Sequence, residues 1–264
     1  MPGTPLENIA VILVGTKHAG NIGSAARAMW NMGFSRLRLA APRCRVDEDA
    51  FRLAKHGGSI LEHARVFRSV ESALRGFHLI VGTTAKTGGN RQETFSPRAL
   101  APKLIGQAEK QKVAVMFGPE DTGLVDEDVL LCHYLMRIPT RPSARSINLA
   151  HAVMIICYEL YVASLIRPPE RVPELATIEQ VEAMYRQLEK ALLEIGFVTP
   201  ETARHMMFAL RRFFGRTGLE KRDTAILRGI ARQIGWYAGR SSRLAGRTET
   251  DCSPDTSCAE IPQE

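Results

Sequence analysis

Cysteine is scarce and unpatterned. Cys44, Cys132, Cys157, Cys252 and Cys258 are odd in number, and no two stand as CxxC. That excludes a disulfide-stapled scaffold and offers no metal-ligand spacing, so no metal is expected and a reducing cytoplasm fits. Long apolar runs are missing too. Ile9–Val14 is too short for an export signal and has no basic lead-in. Ile147–Ile166 carries Asn148, His151 and Glu159, so it reads as a buried helix and no membrane association is expected. Basic residues are absent from 248–264, which holds five acids among Ser, Thr and Pro. This segment is expected to be a disordered acidic tail. The preceding 247 residues therefore carry +12, five more than the +7 of the whole chain, and that excess points to a polyanionic partner.

Short apolar runs alternate with helical patterns up to about residue 166. Strands are expected at 9–14, 37–40, 78–82, 113–117 and 134–138, with a weaker one at 65–67. Helices fill the gaps at 22–32, 48–56, 97–110 (Ser96 as N-cap, Pro97 in the first turn) and 148–166. The alternation predicts an α/β domain over 1–166, a parallel sheet flanked by helices. Arg167 to Pro173 is proline-rich and opens a linker over 167–176.

A small all-helical extension follows over 177–247. Thr177 to Gln180 is a capping-box pattern, and Ile178, Val181, Tyr185, Leu188 and Leu192 line one helical face. Thr199-Pro200 opens a second helix to Phe214, and a third covers roughly 222–237. Between Thr199 and Arg247 eleven Lys or Arg face three acids, led by Arg204, Arg211, Arg212, Arg216, Lys221, Arg222 and Arg228. A charge run is also what any solvated face carries. The sign bias, with Phe213, Phe214, Trp236 and Tyr237 interleaved, suits phosphates and unstacked bases.

Three motifs sit at expected strand ends, where open α/β sheets bind ligands. In the helix after Asn21, Ile22, Ala25, Met29 and Met32 share one side, and Ser24, Arg27 and Asn31 the other. Arg27 thus points away from the apolar stripe, as an oxyanion-holding fork or as a plain surface arginine. Phe117-Gly118-Pro119-Glu120 ends a buried strand in a loop where Gly118 leaves room against the backbone. There Glu120 is a site acid, a helix cap or an exposed loop carboxylate. Arg145-Ser146-Ile147-Asn148 opens the next helix, with Ser146 or Asn148 as N-cap. Cys132-His133 offers the residue types of a nucleophile pair but reads as a packed helix end, since adjacent helical residues do not face each other. Gly15, Gly20 and Gly23 miss the GxGxxG spacing, and Pro42-Arg43-Cys44-Arg45 stands where an acid would grip a ribose. Arg43 or Arg45 would suit a 2′-phosphate, which keeps an NADP-type oxidoreductase as an alternative.

Taken together, Asn21…Arg27, Phe117-Gly118-Pro119-Glu120 and Ser146-x-Asn148-Leu149 resemble the ribose 2′-O-methyltransferases of the SPOUT superfamily, TrmH group, over about residues 8–240. Asn31-Met32-Gly33-Phe34, Cys132-His133-Tyr134, Leu188-Glu189…Gly196-Phe197, Leu210-Arg211-Arg212 and Ile226–Ile230 favour a subgroup acting on tRNA. The resemblance implies S-adenosylmethionine as cofactor and a trefoil knot formed by the second and third motif loops. It places Asn21, Arg27, Glu120, Ser146 and Asn148 at catalytic positions. It places Thr83, Thr84, Ala85, Gly118, Ile138, Arg145, Ser146 and Ile147 at the cofactor. Family members often carry Ser where Arg145 stands, so contacts there are expected through backbone. It further implies a homodimer with sites near the subunit interface, and a basic extension gripping the tRNA anticodon arm. The implied target is a pyrimidine ribose at nucleotide thirty-two (Cm32/Um32). A non-catalytic RNA-binding scaffold is the other alternative.

Overall fold

A computed structural model describes residues 4–86, 93–141, 143, 146–166, 174–215 and 218–248, with side chains to residue 240. The expected linker segment 167–173 and the tail from 249 lie outside the described residues, as do Arg145 and Arg216. Seven strands form one parallel sheet: β1 (Ile9–Val14), β2 (Arg36–Ala40), β3 (Arg65–Phe67), β4 (Leu79–Thr83), β5 (Thr94–Phe95), β6 (Val113–Phe117) and β7 (Tyr134–Met136). Their order is β3-β2-β1-β6-β4-β7-β5. The late strands β6 and β7 insert between earlier ones. In register, Leu13 pairs with Phe117, Val81 with Val115, and Thr83 with Met136. The carboxyl ends of β1, β6, β4 and β7 therefore open on one edge.

Alternate residues of β1 feed two cores. Ile9, Val11 and Leu13 pack on one face; Ala10, Ile12 and Val14 pack on the other. The first face is covered by α1 (Ala19–Asn31), α5 (Pro97–Ala108) and α7 (Leu149–Ser164). On the second lie α4 (Val70–Leu74) and α6 (Asp126–Leu130). Two short helices, α2 (Glu48–Ala54) and α3 (Gly58–Glu62), pack beside α1. Gly23 is what lets α1 and α2 touch, because a Cβ there would strike the Ala50 carbonyl. Side-chain caps set several starts: Asp47 for α2, Ser69 for α4, Ser96 for α5 and Asn148 for α7.

The C-terminal unit is α8 (Ile178–Glu194), α9 (Pro200–Phe214) and α10 (Lys221–Thr248). Its own core gathers Val181, Met184, Tyr185 and Met207. The unit is also rooted in the α/β core: Leu175 packs in the first cluster and Ile178 in the second, and the Ile178 N–H donates to the Phe77 carbonyl.

Strands at 9–14, 65–67 and 113–117 stand as read, and the others shift by one or two residues. The two-residue β5 has no periodicity to read. Helix α1 begins three residues before Ile22, α2 stops at Ala54, where Lys55 turns to φ 53°, and α10 runs eleven residues past Tyr237. Gly20 and Gly23 lie inside α1 rather than in a turn, and β6 rather than β4 stands next to β1. Both features depart from a dinucleotide-binding fold. Cys132 and His133 follow α6 and are buried. The His133 Nδ1 accepts from the Ile80 N–H at 3.0 Å, and burial pushes its pKa down to about 4. Burial pushes the Cys132 thiol up. A neutral imidazole beside a protonated thiol is no nucleophile pair.

Candidate active site

The three motifs meet at the carboxyl edge of the sheet through side chains. The β6–α6 loop brings Glu120 to the start of α1. Its carboxylate accepts from the Lys17 N–H (3.1 Å) and the Asn21 side-chain amide (2.8 Å), and from the His18 N–H. Glu120 thus fills the anion position at this helix N-terminus, where His18 supplies no side-chain cap. Asn21 Oδ1 in turn accepts from Asn148 Nδ2 at 3.1 Å. Asn148 Oδ1 accepts from the N–H groups of Ala150 (2.9 Å) and His151 (3.4 Å), capping α7. One chain of hydrogen bonds, Glu120 to Asn21 to Asn148, ties three strand-end loops together.

Burial raises the Glu120 pKa, but the donors from Asn21, its own backbone, Lys17 and His18 outweigh it and hold the carboxyl below its ordinary value. Glu120 is therefore an anion at neutral pH. The Lys17–Asp121 pair at 2.6 Å straps the same loop from outside, at side-chain exposures of 35% and 48% that make it worth little. The loop itself needs Gly118, where a Cβ would meet the backbone of Gly123 and Leu124.

Arg27 lies six residues beyond Asn21 on α1, exposed, with no ion pair or hydrogen bond among the described residues. It stands outside the Glu120–Asn21–Asn148 chain. Ser146 is exposed, and Ile147 is half-buried. Thr83 ends β4, and Thr84 donates its N–H to the Met136 carbonyl at 2.9 Å, which seats this turn against β7. Ala85 is exposed, and Ile138 packs against the first core. The adjacent ends of β4, β6 and β7 offer backbone donors and acceptors with half-buried Ile138 after β7, a mix of apolar surface and a few fixed polar groups that fits a nucleoside cofactor. A separate cavity of about 320 Å³ between α5 and α7 touches only Ile138 of this set and carries the Arg98–Glu159 pair at its edge. Among the described residues no three His, Cys, Asp or Glu are grouped to hold a metal, and no helix is long and apolar enough to cross a membrane.

The basic extension sorts into engaged and free cations. Arg211 grips Glu182 with both ends of its fork (2.5 and 2.7 Å) and stacks 4.4 Å from the Tyr185 centroid. Lys221 bonds Glu174 at 2.5 Å, Arg228 bonds Gln187 at 3.1 Å, and Arg204 reaches only 3.9 Å from Glu127. Arg212 and Arg222 have no such partner among the described residues. Phe213, Trp236 and Tyr237 are exposed, and Arg240 lies 5.4 Å from the Trp236 centroid. Arg211→Ala is accordingly expected to act on the fold, costing about 2 kcal/mol by leaving Glu182 unpaired. That lowers Tm by roughly 4–8 °C, measurable by thermal unfolding, with no change in the salt dependence of RNA binding.

Sequence reasoning missed Lys17 and His18, which act through backbone N–H groups that residue identity does not advertise.

Residues 8–158 match the model described as the SpoU rRNA Methylase family, and residues 179–246 match that of the tRNA methyltransferase TrmJ, C-terminal domain. The chain is 39% identical over 238 residues to a tRNA (cytidine/uridine/adenosine-2′-O-)-methyltransferase TrmJ of Pseudomonas aeruginosa, covering 85% of this chain and 93% of the relative. It is 38% identical to a tRNA (cytidine/uridine-2′-O-)-methyltransferase TrmJ of Pectobacterium atrosepticum, covering 87% and 97%. The crystal structure of TrmJ from Z. mobilis superposes with a TM-score of 0.74 at 31% identity, covering 85% of this chain and 98% of that one.

Proposed function

The chain belongs to the SpoU rRNA methylase family and, within it, to the TrmJ-type tRNA methyltransferases, and from that premise we propose that its substrate site is a pyrimidine ribose in the tRNA anticodon loop, at nucleotide thirty-two. The enzyme uses S-adenosylmethionine, which when bound supplies a methyl group already activated on a sulfonium. What is left to the protein is alignment of a ribose 2′-oxygen, an effect that can be worth roughly 7–11 kcal/mol. The observation that carries the reading is the Glu120–Asn21–Asn148 chain, because it fixes three motif loops against each other at the strand ends.

In this reading Thr83, Thr84, Ala85, Gly118, Ile138, Arg145, Ser146 and Ile147 hold the cofactor, with the second and third motif loops forming the knot. Arg27 holds the substrate phosphate and steadies the developing 2′-alkoxide. A guanidinium does not give up its proton in proteins, so the hydroxyl proton leaves to solvent or to phosphate. Residues 1–166 form the catalytic domain, and 177–247 the extension that grips the anticodon arm. A homodimer is supported by exposed Tyr158 and Tyr161 on α7 and Leu165 just past its end, at three- and four-residue spacing along one helical side. Arg27 lies on α1, which packs against α7, so in this reading a second copy seated there lies beside Arg27's helix. The reading places the enzyme in the cytoplasm, where its RNA is.

Two measurements test this. Labelled methyl groups should pass from S-adenosylmethionine to bulk tRNA, and tRNA from cells lacking the protein should lose ribose methylation at nucleotide thirty-two alone. Titration should show S-adenosylhomocysteine binding and no NADPH binding. Transfer without loss at that nucleotide overturns the position, and NADPH binding without S-adenosylhomocysteine binding overturns the whole reading.

A further inference from the structure

We propose that the β3 edge of the sheet is a second RNA-backbone contact, where Arg36, Arg65, Arg68 and Arg75 hold phosphodiester groups of the substrate RNA away from the helical extension. The inference rests on the reading that the substrate is RNA, and it assigns a surface that neither the motifs nor the C-terminal charge excess involve.

Strand β3 is outermost, and Arg65 pairs in register with Arg38 of β2. The Arg38 guanidinium is wedged 4.4 Å from the Phe77 centroid and 5.1 Å from that of Phe67. It donates to the carbonyls of Ala73 (2.6 Å) and Arg75 (3.1 Å). Arg65 lies 5.4 Å from the same Phe67 ring. Burial, then the fields of Arg65 and Arg36, hold the Arg38 pKa below its ordinary value against the opposing field of Glu179, whose carboxylate accepts from the Gly76 N–H. Arg36, Arg65, Arg68 and Arg75 are exposed and make no ion pair among the described residues. In the helical extension, by contrast, Arg211 and Lys221 are already spent on Glu182 and Glu174.

Charges on an edge strand also block edge-to-edge pairing. That role is met within β3 and does not call for Arg68 and Arg75, which lie outside the strands. It also leaves unexplained why cations stand at both ends of this edge, with Arg36 and Arg75 at the amino end of the sheet and Arg68 and Arg43 at the carboxyl end, where the candidate site lies. At the carboxyl end of β3 the Phe67 carbonyl accepts from the Ala41 N–H. Two residues on, Arg43 comes within 3.9 Å of where a Gly15 Cβ would stand, beside Pro119 of the Glu120 loop. Exposed guanidinium groups spaced along a sheet edge, with Arg43 beyond them beside the Glu120 loop, fit the spaced phosphates of one RNA strand, which planar forks bind well.

The test compares the full-length chain with Arg65→Ala/Arg68→Ala/Arg75→Ala, leaving the wedged Arg38 intact. It measures tRNA affinity between 50 and 300 mM salt. Three lost phosphate contacts should make the log–log salt slope shallower by about 2–3 and weaken binding by roughly 10–100-fold near physiological salt. The triple Lys variant should retain most of the slope. S-adenosylhomocysteine affinity and the thermal unfolding midpoint should stay at the unsubstituted values, which separates lost contacts from misfolding. Unchanged tRNA affinity and slope overturn the proposal, and so does a loss confined to an acidic polypeptide such as polyglutamate. If the unsubstituted chain itself transfers no methyl to tRNA, the functional reading fails instead, and the two failures are told apart.

Discussion

Arg27→Ala is expected to lower methyl transfer to tRNA by about 10²–10³-fold, the usual cost of losing one oriented donor to a developing oxyanion, while S-adenosylhomocysteine affinity stays within about twofold. The side chain is exposed on α1 and unpaired among the described residues, so nothing in the fold depends on it. Stability should change by no more than about 0.5 kcal/mol. Arg27→Lys keeps the charge and loses the fork; it should recover only part of the rate, and near-unsubstituted turnover across pH would refute a fork-specific role. A mixed dimer of one Arg27→Ala and one Asn148→Ala subunit then tells which copy Arg27 serves. With Arg27 acting across the interface, one of the two sites keeps both residues and about half the activity survives. Acting within its own subunit, it leaves both sites damaged and almost none survives. Full activity of Arg27→Ala itself would remove this residue from the mechanism.

How much of this was legible beforehand follows from the range of each interaction. Caps are local, so Ser96 and Thr177 announced their helices within three or four residues, and of the pair Ser146 and Asn148 it is Asn148 that caps α7. The apolar strands covered on both faces were equally plain. The early start of α1 was not, because the carboxylate that bonds its entry at Lys17 and Asn21 comes from Glu120, about a hundred residues away. Glu120 is accordingly no free loop carboxylate: its partners lie in another motif. Strand insertion is likewise non-local, since nothing within β6 says that it pairs with β1 and β4. A cation count in the extension could not tell Arg211, consumed by Glu182, from Arg222, which has no ion pair among the described residues. Nor could it see that Arg65 and Arg38 meet across strands, because charge clustering on a sheet depends on register.

The second large effect concerns Glu120, and its pH dependence separates two roles. Glu120→Ala leaves the Lys17 and His18 N–H groups and the Asn21 amide without their acceptor. That should cost roughly 2–3 kcal/mol of stability and lower methyl transfer by about 10²-fold, as the Asn21–Asn148 link loses its anchor. Glu120→Gln keeps the shape and gives up the charge at the α1 N-terminus, for a loss of about 1 kcal/mol. The folded carboxyl titrates below its ordinary value of about 4.3, because bound donors favour the anion over the opposing effect of burial. Its contribution to stability is therefore complete above the unfolded value and is lost as pH falls through the lower folded one. Between about pH 5 and 8 Glu120 stays ionised, so kcat/KM should show no inflection that Glu120→Gln removes. A general base at this position would need a value raised toward neutrality, and an inflection between pH 6 and 8 that vanished in Glu120→Gln would turn the anchor into the proton acceptor. The four donors gathered on one carboxylate argue the other way: they stabilise its charge, and a charge so stabilised is a poor base.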